Sequence, residues 1–187
     1  WHLGAGPDYL EIDHPVQLAV REAWEDVTGG PVHGWATDGC SAPNFATSLH
    51  GLARAMAFFA TAREDGGNPR ARAAARLRQA MVTHPDLVAG EGRACTGLMR
   101  AMDGRVAVKS GAEAVYVAMI PQRGVGIALK VSDGAWRASE STIAALLVRL
   151  GVLDAAHPET RKVLNAPIQN WRGRVTGFIR PAPGLIA

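Results

Sequence analysis

The segment Val108-Lys109-Ser110-Gly111-Ala112-Glu113 ends an apolar, strand-like run and sets a cation, a hydroxyl and a glycine in succession. That order suits acyl transfer. A lysine and a hydroxyl at the end of a strand can flank a bound carbonyl, and the glycine leaves room for substrate. Lys109 is therefore the first candidate for a catalytic group. The same residues also read as a solvated strand end followed by an ordinary Ser-Gly turn. Enzymes with such a strand draw their nucleophile from an S-x-x-K pair at the start of a helix, where the lysine eases removal of the serine proton. This sequence holds no S-x-x-K: Ser41, Ser48, Ser110, Ser132, Ser139 and Ser141 are followed three positions on by Asn44, Gly51, Glu113, Ala135, Thr142 and Ala144. If the chemistry is acyl transfer, its serine is expected outside these 187 residues.

A second candidate group is Asp38-Gly39-Cys40. Asp38 can orient a ligand or an amino group by a charge-assisted hydrogen bond, and Asp-Gly is equally a turn signature. Arg93 can meet a carboxylate with two parallel N–H donors, or stay a solvated loop arginine. Glu113 is placed to pair with Lys109 across the turn, or to stand exposed. His14 and His84 each precede a proline and show no metal-ligand spacing with another histidine, so both read as structural. Cys40 and Cys95 lie 55 positions apart without C-x-x-C or Cys-His spacing. They form no disulfide framework and no self-sufficient zinc site, and both are expected as reduced thiols. Burial as a small hydrophobe is the ordinary fate of each.

Length and composition set the frame that must position these groups. The 187 residues, 48% hydrophobic and 20% charged, suffice for one domain with its own core. A formal charge of +3 is too small to argue for nucleic acid. No stretch approaches the roughly 18 uninterrupted apolar residues of a membrane span. The first residues, Trp1-His2-Leu3-Gly4-Ala5-Gly6-Pro7, lack an initiator methionine, a basic region and an apolar run. They are not a signal peptide, the chain is expected to begin partway through a longer one, and a soluble, cytoplasmic protein is the expectation.

Periodicity then supplies the elements. Apolar residues from His14 to Thr28 repeat as on a helix, with Asp13 as cap, Pro15 in the first turn and Gly29-Gly30-Pro31 as stop. A short extended piece from Val32 to Ala36 precedes the turn-rich Thr37–Pro43 loop, which feeds a helix expected from about Asn44 to Arg63. Arg70 to Thr83 reads as an Ala/Arg helix whose arginines form a solvated face, ended by His84-Pro85. Leu87–Arg93 reads as a loop leading through Thr96 into a short helix with Leu98, Met99 and Met102. Arg105–Ser110, Ala114–Ile120 and Gly124–Val131 have strand character and predict an antiparallel meander. Glu140–Leu150 reads as a helix and Arg174–Ile179 as a last strand. Gly124-Val125-Gly126 is followed by strand formers, which argues against a dinucleotide loop. The fold class is α+β, a small antiparallel sheet flanked by helices.

Six blocks in order carry a resemblance: His14-Pro15-Val16-Gln17, Asp38-Gly39-Cys40-Ser41-Ala42-Pro43, Arg93 with Thr96-Gly97-Leu98-Met99, Val108-Lys109-Ser110-Gly111-Ala112-Glu113, Gly126–Val131 and Asp133-Gly134. Together they resemble the Rhizobium-type L-asparaginases, the asparaginase II or class 3 family, over nearly all of residues 1–187 and in its carboxyl-terminal part. The resemblance implies a serine β-lactamase/glutaminase-like fold in a single domain. Two S-x-x-K pairs and a C-S-G-K-H block belong to its amino-terminal half, and all three are missing here. It implies hydrolysis of L-asparagine to L-aspartate and ammonia by a serine activated by lysines, with the serine in the missing half. It also implies a zinc ion held by two cysteines and a lysine, of which only Cys40 lies in this sequence. Lys109 would be the lysine that reaches the serine cluster, and Cys95 a thiol that tunes substrate affinity. Asp38 and Arg93 would meet the substrate.

A homodimer is carried by the resemblance alone. Without its partner half the meander would expose an apolar face and an edge strand, so association of the isolated chain is expected. A noncatalytic scaffold or ligand-binding domain of the same fold is the alternative class. A related glutaminase or β-lactamase is the alternative enzyme, against which Asp38-Gly39-Cys40 argues.

Overall fold

The computed structural model describes residues 3–186, with α-helices α1 (Pro15–Thr28), α2 (Leu49–Thr61), α3 (Pro69–Thr83), α4 (Pro85–Ala89), α5 (Ala94–Ala101), α6 (Trp136–Arg149), α7 (Pro158–Leu164) and α8 (Pro183–Ile186). The strands are β1 (Trp35–Thr37), β2 (Pro43–Phe45), β3 (Ala107–Ser110), β4 (Val115–Ile120), β5 (Val125–Lys130), β6 (Ala166–Gln169) and β7 (Val175–Ile179). The reading of Trp1 and His2 as an unusual chain start lies outside the described residues. The α+β class holds: helices accompany three small antiparallel sheets, β1-β2, β3-β4-β5 and β6-β7. None of the described helices is long and apolar enough to cross a membrane. The chain divides into two compact units, residues 1–55 and 56–187.

In the first unit α1 begins and ends largely as its sequence dictates. Pro15 occupies the first turn, where its missing N–H is not needed, and Gly29 ends the helix at φ 76°. The cap is His14 and not Asp13: the His14 imidazole Nδ1 accepts from the Val16 amide at 3.2 Å. A Cβ on Gly29 would lie 2.1 Å from Arg54 Nη1. That guanidinium fills the space because it donates to the carbonyls of Asp26 and Val27 at 3.1 and 3.3 Å, satisfying the end of the helix. Asn44 and Phe45, expected at the start of a helix, instead join Pro43 in β2 and pair with β1, with Trp35 opposite Phe45. The helix starts only at Leu49, after the Ser48 hydroxyl accepts from the Gly51 amide at 3.0 Å.

The second unit holds the meander that the alternating residues predicted, in the order β3-β4-β5. Its centre is Tyr116, Leu98, Met99, Met102, Ile120, Ile143, Leu147, Val106 and Val108, all under 2% exposed. Helices α5 and α6 supply the long apolar side chains that close on the strands. The arginines of α3 are not all solvated. Arg78 Nη1 donates to the carbonyls of Phe59, Ala60 and Ala62 at 2.5, 2.9 and 3.1 Å, where a helix end leaves acceptors without partners.

The expected loop at 87–93 is shorter, because Pro85 opens α4 in the same step that stops α3. Helix α6 starts at Trp136, earlier than expected, and α7 and β6 were not foreseen.

Candidate functional site

Asp38-Gly39-Cys40 sits at the tip of the β1-β2 hairpin in the first unit. The Asp38 amide donates to the Ala42 carbonyl and the Ser41 amide to the Asp38 carbonyl, both at 2.9 Å. Ser41 takes the left-handed φ of 71° that this tight reversal requires. The Asp38 carboxylate turns back on its own loop and accepts from the Cys40 amide at 3.3 Å. The Cys40 thiol, and after it the Cys40 and Gly39 amides, hold the Asp38 carboxyl below its ordinary range. Cys40 is exposed. Its loop was expected to feed a helix directly, but here it leads into the three-residue strand β2, so no helix amides stand behind the thiol. Among the described residues no three His, Cys, Asp or Glu side chains gather as a metal site. Cys40 offers a single sulfur ligand, which does not suffice for zinc.

In the second unit Lys109 and Ser110 close the edge strand β3. The pleat turns consecutive side chains to opposite faces. Lys109 is half-buried, and its ammonium donates to the Ser110 carbonyl at 2.7 Å, not to the Glu113 carboxylate. Glu113 serves the turn through its backbone instead: it holds φ 53°, and its carbonyl accepts from the Lys130 ammonium. The absent side chain of Gly111 makes room for protein. A Cβ there would lie 3.1 Å from the Val115 Cβ, where the Gly111 amide donates to the Val115 carbonyl at 2.7 Å.

Ser110 stands opposite Tyr116 in the antiparallel register, so their side chains share one face. The Cys95 thiol, in the first turn of α5, meets both. Cys95 Sγ accepts from the Ser110 amide at 3.2 Å, lies 3.6 Å from the Ser110 hydroxyl and 3.0 Å from the Tyr116 hydroxyl. Cys95 is 2% exposed and Tyr116 fully buried. Burial above all pushes the Tyr116 phenol up, the Cys95 sulfur and Glu140 add to it, and Arg93 opposes. The hydroxyl therefore stays protonated and shares with the Cys95 thiol a hydrogen bond in which either group can donate.

Arg93 precedes α5 and lies over the Trp136 ring, its Cζ 4.8 Å from the ring centre. A stack of this kind contributes about 0.5–1 kcal/mol at an exposed site. Its loop is held in place from two sides. The Thr96 hydroxyl lies 3.1 Å from the Pro85 carbonyl and 2.6 Å from that of Gly90, and Arg100 grips Glu91 with two bonds of 2.8 and 2.6 Å. Glu140 lies one turn beyond Trp136 on the same face of α6. Arg93 and Glu140 line a partly open cavity of about 240 Å³ with Gly97, Glu159 and Lys162. A smaller cavity of about 190 Å³ shares Arg93, Gly97, Glu159 and Lys162. Burial pushes the Glu140 carboxyl up, with Arg93 opposing.

Within the second unit the structure thus brings Cys95 together with Ser110, and sets Arg93 on a cavity flanking Cys95 at Ala94 and Gly97. Lys109 belongs to the same strand end but not to the thiol cluster. Asp38 and Cys40 form their own loop in the first unit. Sequence reasoning missed Tyr116, Trp136 and Glu140. Tyr116 was within reach of it, because pairing the foreseen strands across their turn sets Ser110 against Tyr116. Glu140 and Trp136 carry no motif, and only the placement of α6 reveals them.

No curated protein matches this sequence. The L-asparaginase II family model matches residues 2–181 and so takes in the hairpin loop, the thiol cluster and the cavity. The match does not bear out the narrower expectation that the chain is a carboxyl-terminal portion. With nearly every residue matched, the chain belongs to the L-asparaginase II family.

Proposed function

We propose that this chain takes part in the hydrolysis of L-asparagine to L-aspartate and ammonia, by acyl transfer to a serine, and that Lys109 is the catalytic residue it contributes. The observation that carries this reading is the L-asparaginase II match over residues 2–181; family membership supports amidohydrolase activity broadly. The finer assignments draw on position. Lys109 ends an edge strand, half-buried, and its ammonium donates to the neighbouring Ser110 carbonyl. A cation so placed serves either to keep a serine network deprotonated or to stabilise charge developing on the carbonyl oxygen. No S-x-x-K occurs in the sequence, so the nucleophile is assigned to residues outside these 187, on a scaffold of the β-lactamase and glutaminase type. Arg93 receives the substrate carboxylate, and Cys95 sets the strand end through Ser110.

Zinc enters the proposal through Cys40 alone, as one thiolate ligand whose partners lie elsewhere. Asp38 orients that loop. No catalytic step depends on the metal here. A cytoplasmic homodimer completes the reading. The same lack of S-x-x-K favours the second reading, a noncatalytic scaffold that binds an amino acid.

The test is ammonia release from L-asparagine by this chain and by the chain extended upstream, each with and without added zinc. Release by the extended form alone is the expected result. Release by neither form favours the scaffold, and release by the 187 residues alone contradicts the assignment of the nucleophile.

A further inference from the structure

The cavity beside α5 holds two opposite charges, Arg93 and Glu140, that act on each other through the field but share no hydrogen bond among the described residues. Among the described residues no hydrogen bond or ion pair engages the Glu140 carboxylate or the Arg93 guanidinium; Arg93 is held only by its stack on Trp136. The other charged pair on the wall, Glu159 and Lys162, is already joined by a hydrogen-bonded ion pair. Glu140 is half-buried, so its ionised form loses hydration, and the attraction of Arg93 only partly offsets that loss. A charge that is only partly compensated on a cavity wall marks a candidate ligand site.

The pattern selects the ligand. A simple anion would gain Arg93 and Lys162 but face Glu140 and Glu159, and a simple cation would meet the reverse. A molecule with an ammonium and a carboxylate on adjacent atoms satisfies the two unpaired groups at once and leaves the Glu159–Lys162 pair intact. The volume of about 240 Å³ lies below the roughly 300 Å³ at which pockets for drug-sized ligands begin, and suits a small metabolite. Gly97 makes room on the wall for the Glu159 carboxylate: a Cβ there would lie 2.5 Å from Glu159 Oε2.

We propose that this cavity binds the charged end of an α-amino acid, with the Glu140 carboxylate accepting from the α-ammonium and the Arg93 guanidinium donating to the α-carboxylate. The assignment rests on the amidohydrolase reading for the identity of the amino acid, and it adds Glu140 and Trp136 to the groups that read the substrate. Trp136 is a positioning residue, since it acts by holding Arg93. Both charged groups also act on the Tyr116 hydroxyl, which ties the cavity to the Cys95–Ser110 strand end.

Titration calorimetry of the 187-residue chain with L-asparagine and with succinamate, the same molecule without its α-amino group, tests this directly. Saturable binding of L-asparagine is expected, with succinamate weaker by roughly ten- to hundredfold, the worth of one charge-assisted hydrogen bond. Glu140→Gln, which keeps the shape of the side chain, should bring L-asparagine down to the succinamate level and leave succinamate unchanged. No saturable binding of L-asparagine, equal affinity for the two ligands, or full discrimination in Glu140→Gln would each overturn the site. Ammonia release by the extended chain separates this proposal from the reading it rests on. Release with an unchanged KM in Glu140→Gln removes the site and keeps the amidohydrolase. Discrimination lost in Glu140→Gln, with no release from any form, keeps the site and removes the amidohydrolase.

Discussion

Each unit of this protein carries one cysteine beside oxygen and nitrogen donors, and the two are built in opposite ways. Cys40 belongs to an exposed hairpin tip whose hydrogen bonds span two to four residues, Asp38 to Cys40 and Asp38 to Ala42. Cys95 is buried and is met by Ser110 and Tyr116, 15 and 21 residues away. A local loop can be read from a motif and can change shape without cost to the core. A buried cluster assembled by strand register is coupled to the whole unit. That difference leaves the first open to reagents in solution and suits the second to holding a strand end rigid.

The largest contrast to test is thiol reactivity. Cys40 should react with a maleimide as a free thiol does, while Cys95 should react slower by about a thousandfold or more, because it is exposed only by opening that costs several kcal/mol. Equal rates, followed by mass spectrometry, would erase the distinction. Next in size is stability measured by urea unfolding. Tyr116→Ala should cost about 3–5 kcal/mol, as for other buried aromatic side chains, whereas Cys40→Ala should stay within about 0.5 kcal/mol. Tyr116→Phe removes only the hydroxyl that meets Cys95 and should cost about 1–2 kcal/mol; no loss at all would mean that the thiol needs no such partner.

The smallest effects are in pH dependence, and here the regions should differ in sign. The Asp38 carboxyl is held below its ordinary value of 3.8, chiefly by the Cys40 thiol and the loop amides. Its small contribution to stability is present above that value and is lost as pH falls through the folded-state pKa. Burial raises the Glu140 carboxyl above its ordinary value of 4.5. Its contribution is therefore full below 4.5 and is lost as pH rises through the higher folded-state value. Melting curves should show Glu140→Gln more stable than the parent at pH 7 and equal to it near pH 4, and Asp38→Asn less stable at both pH values, with its deficit disappearing only in stronger acid.

The elements differ in how far their sequences announce them. The meander was legible because its strands are rich in Val, Ile and Ala between Gly111 and Gly124 turns. The hairpin at 35–45 was not, since three-residue strands are too short to alternate and β1 is exposed at every position. Strand β6 carries Pro167, which demotes any strand reading, yet it pairs with β7 in a two-stranded sheet that leaves an open edge. Pro85 was read as an end and is also a beginning, because a proline that stops one helix fits the first turn of the next. At the site, Lys109 and Arg93 were named by their neighbours in sequence. Glu140 has no such neighbours and was found only once α6 placed it on the Arg93 cavity.

The central claim is that Lys109 performs chemistry for an amidohydrolase, and its most direct test is kcat/KM for ammonia release from L-asparagine in the chain extended upstream, with Lys109→Met set against the parent. Lys109 ends a strand without filling the core, so the variant should fold, and a loss of roughly 10²–10⁴-fold is predicted, the usual worth of a positioned proton-transfer group. A variant that keeps the parent's rate within a few-fold would contradict the account and reduce Lys109 to a strand-end cation.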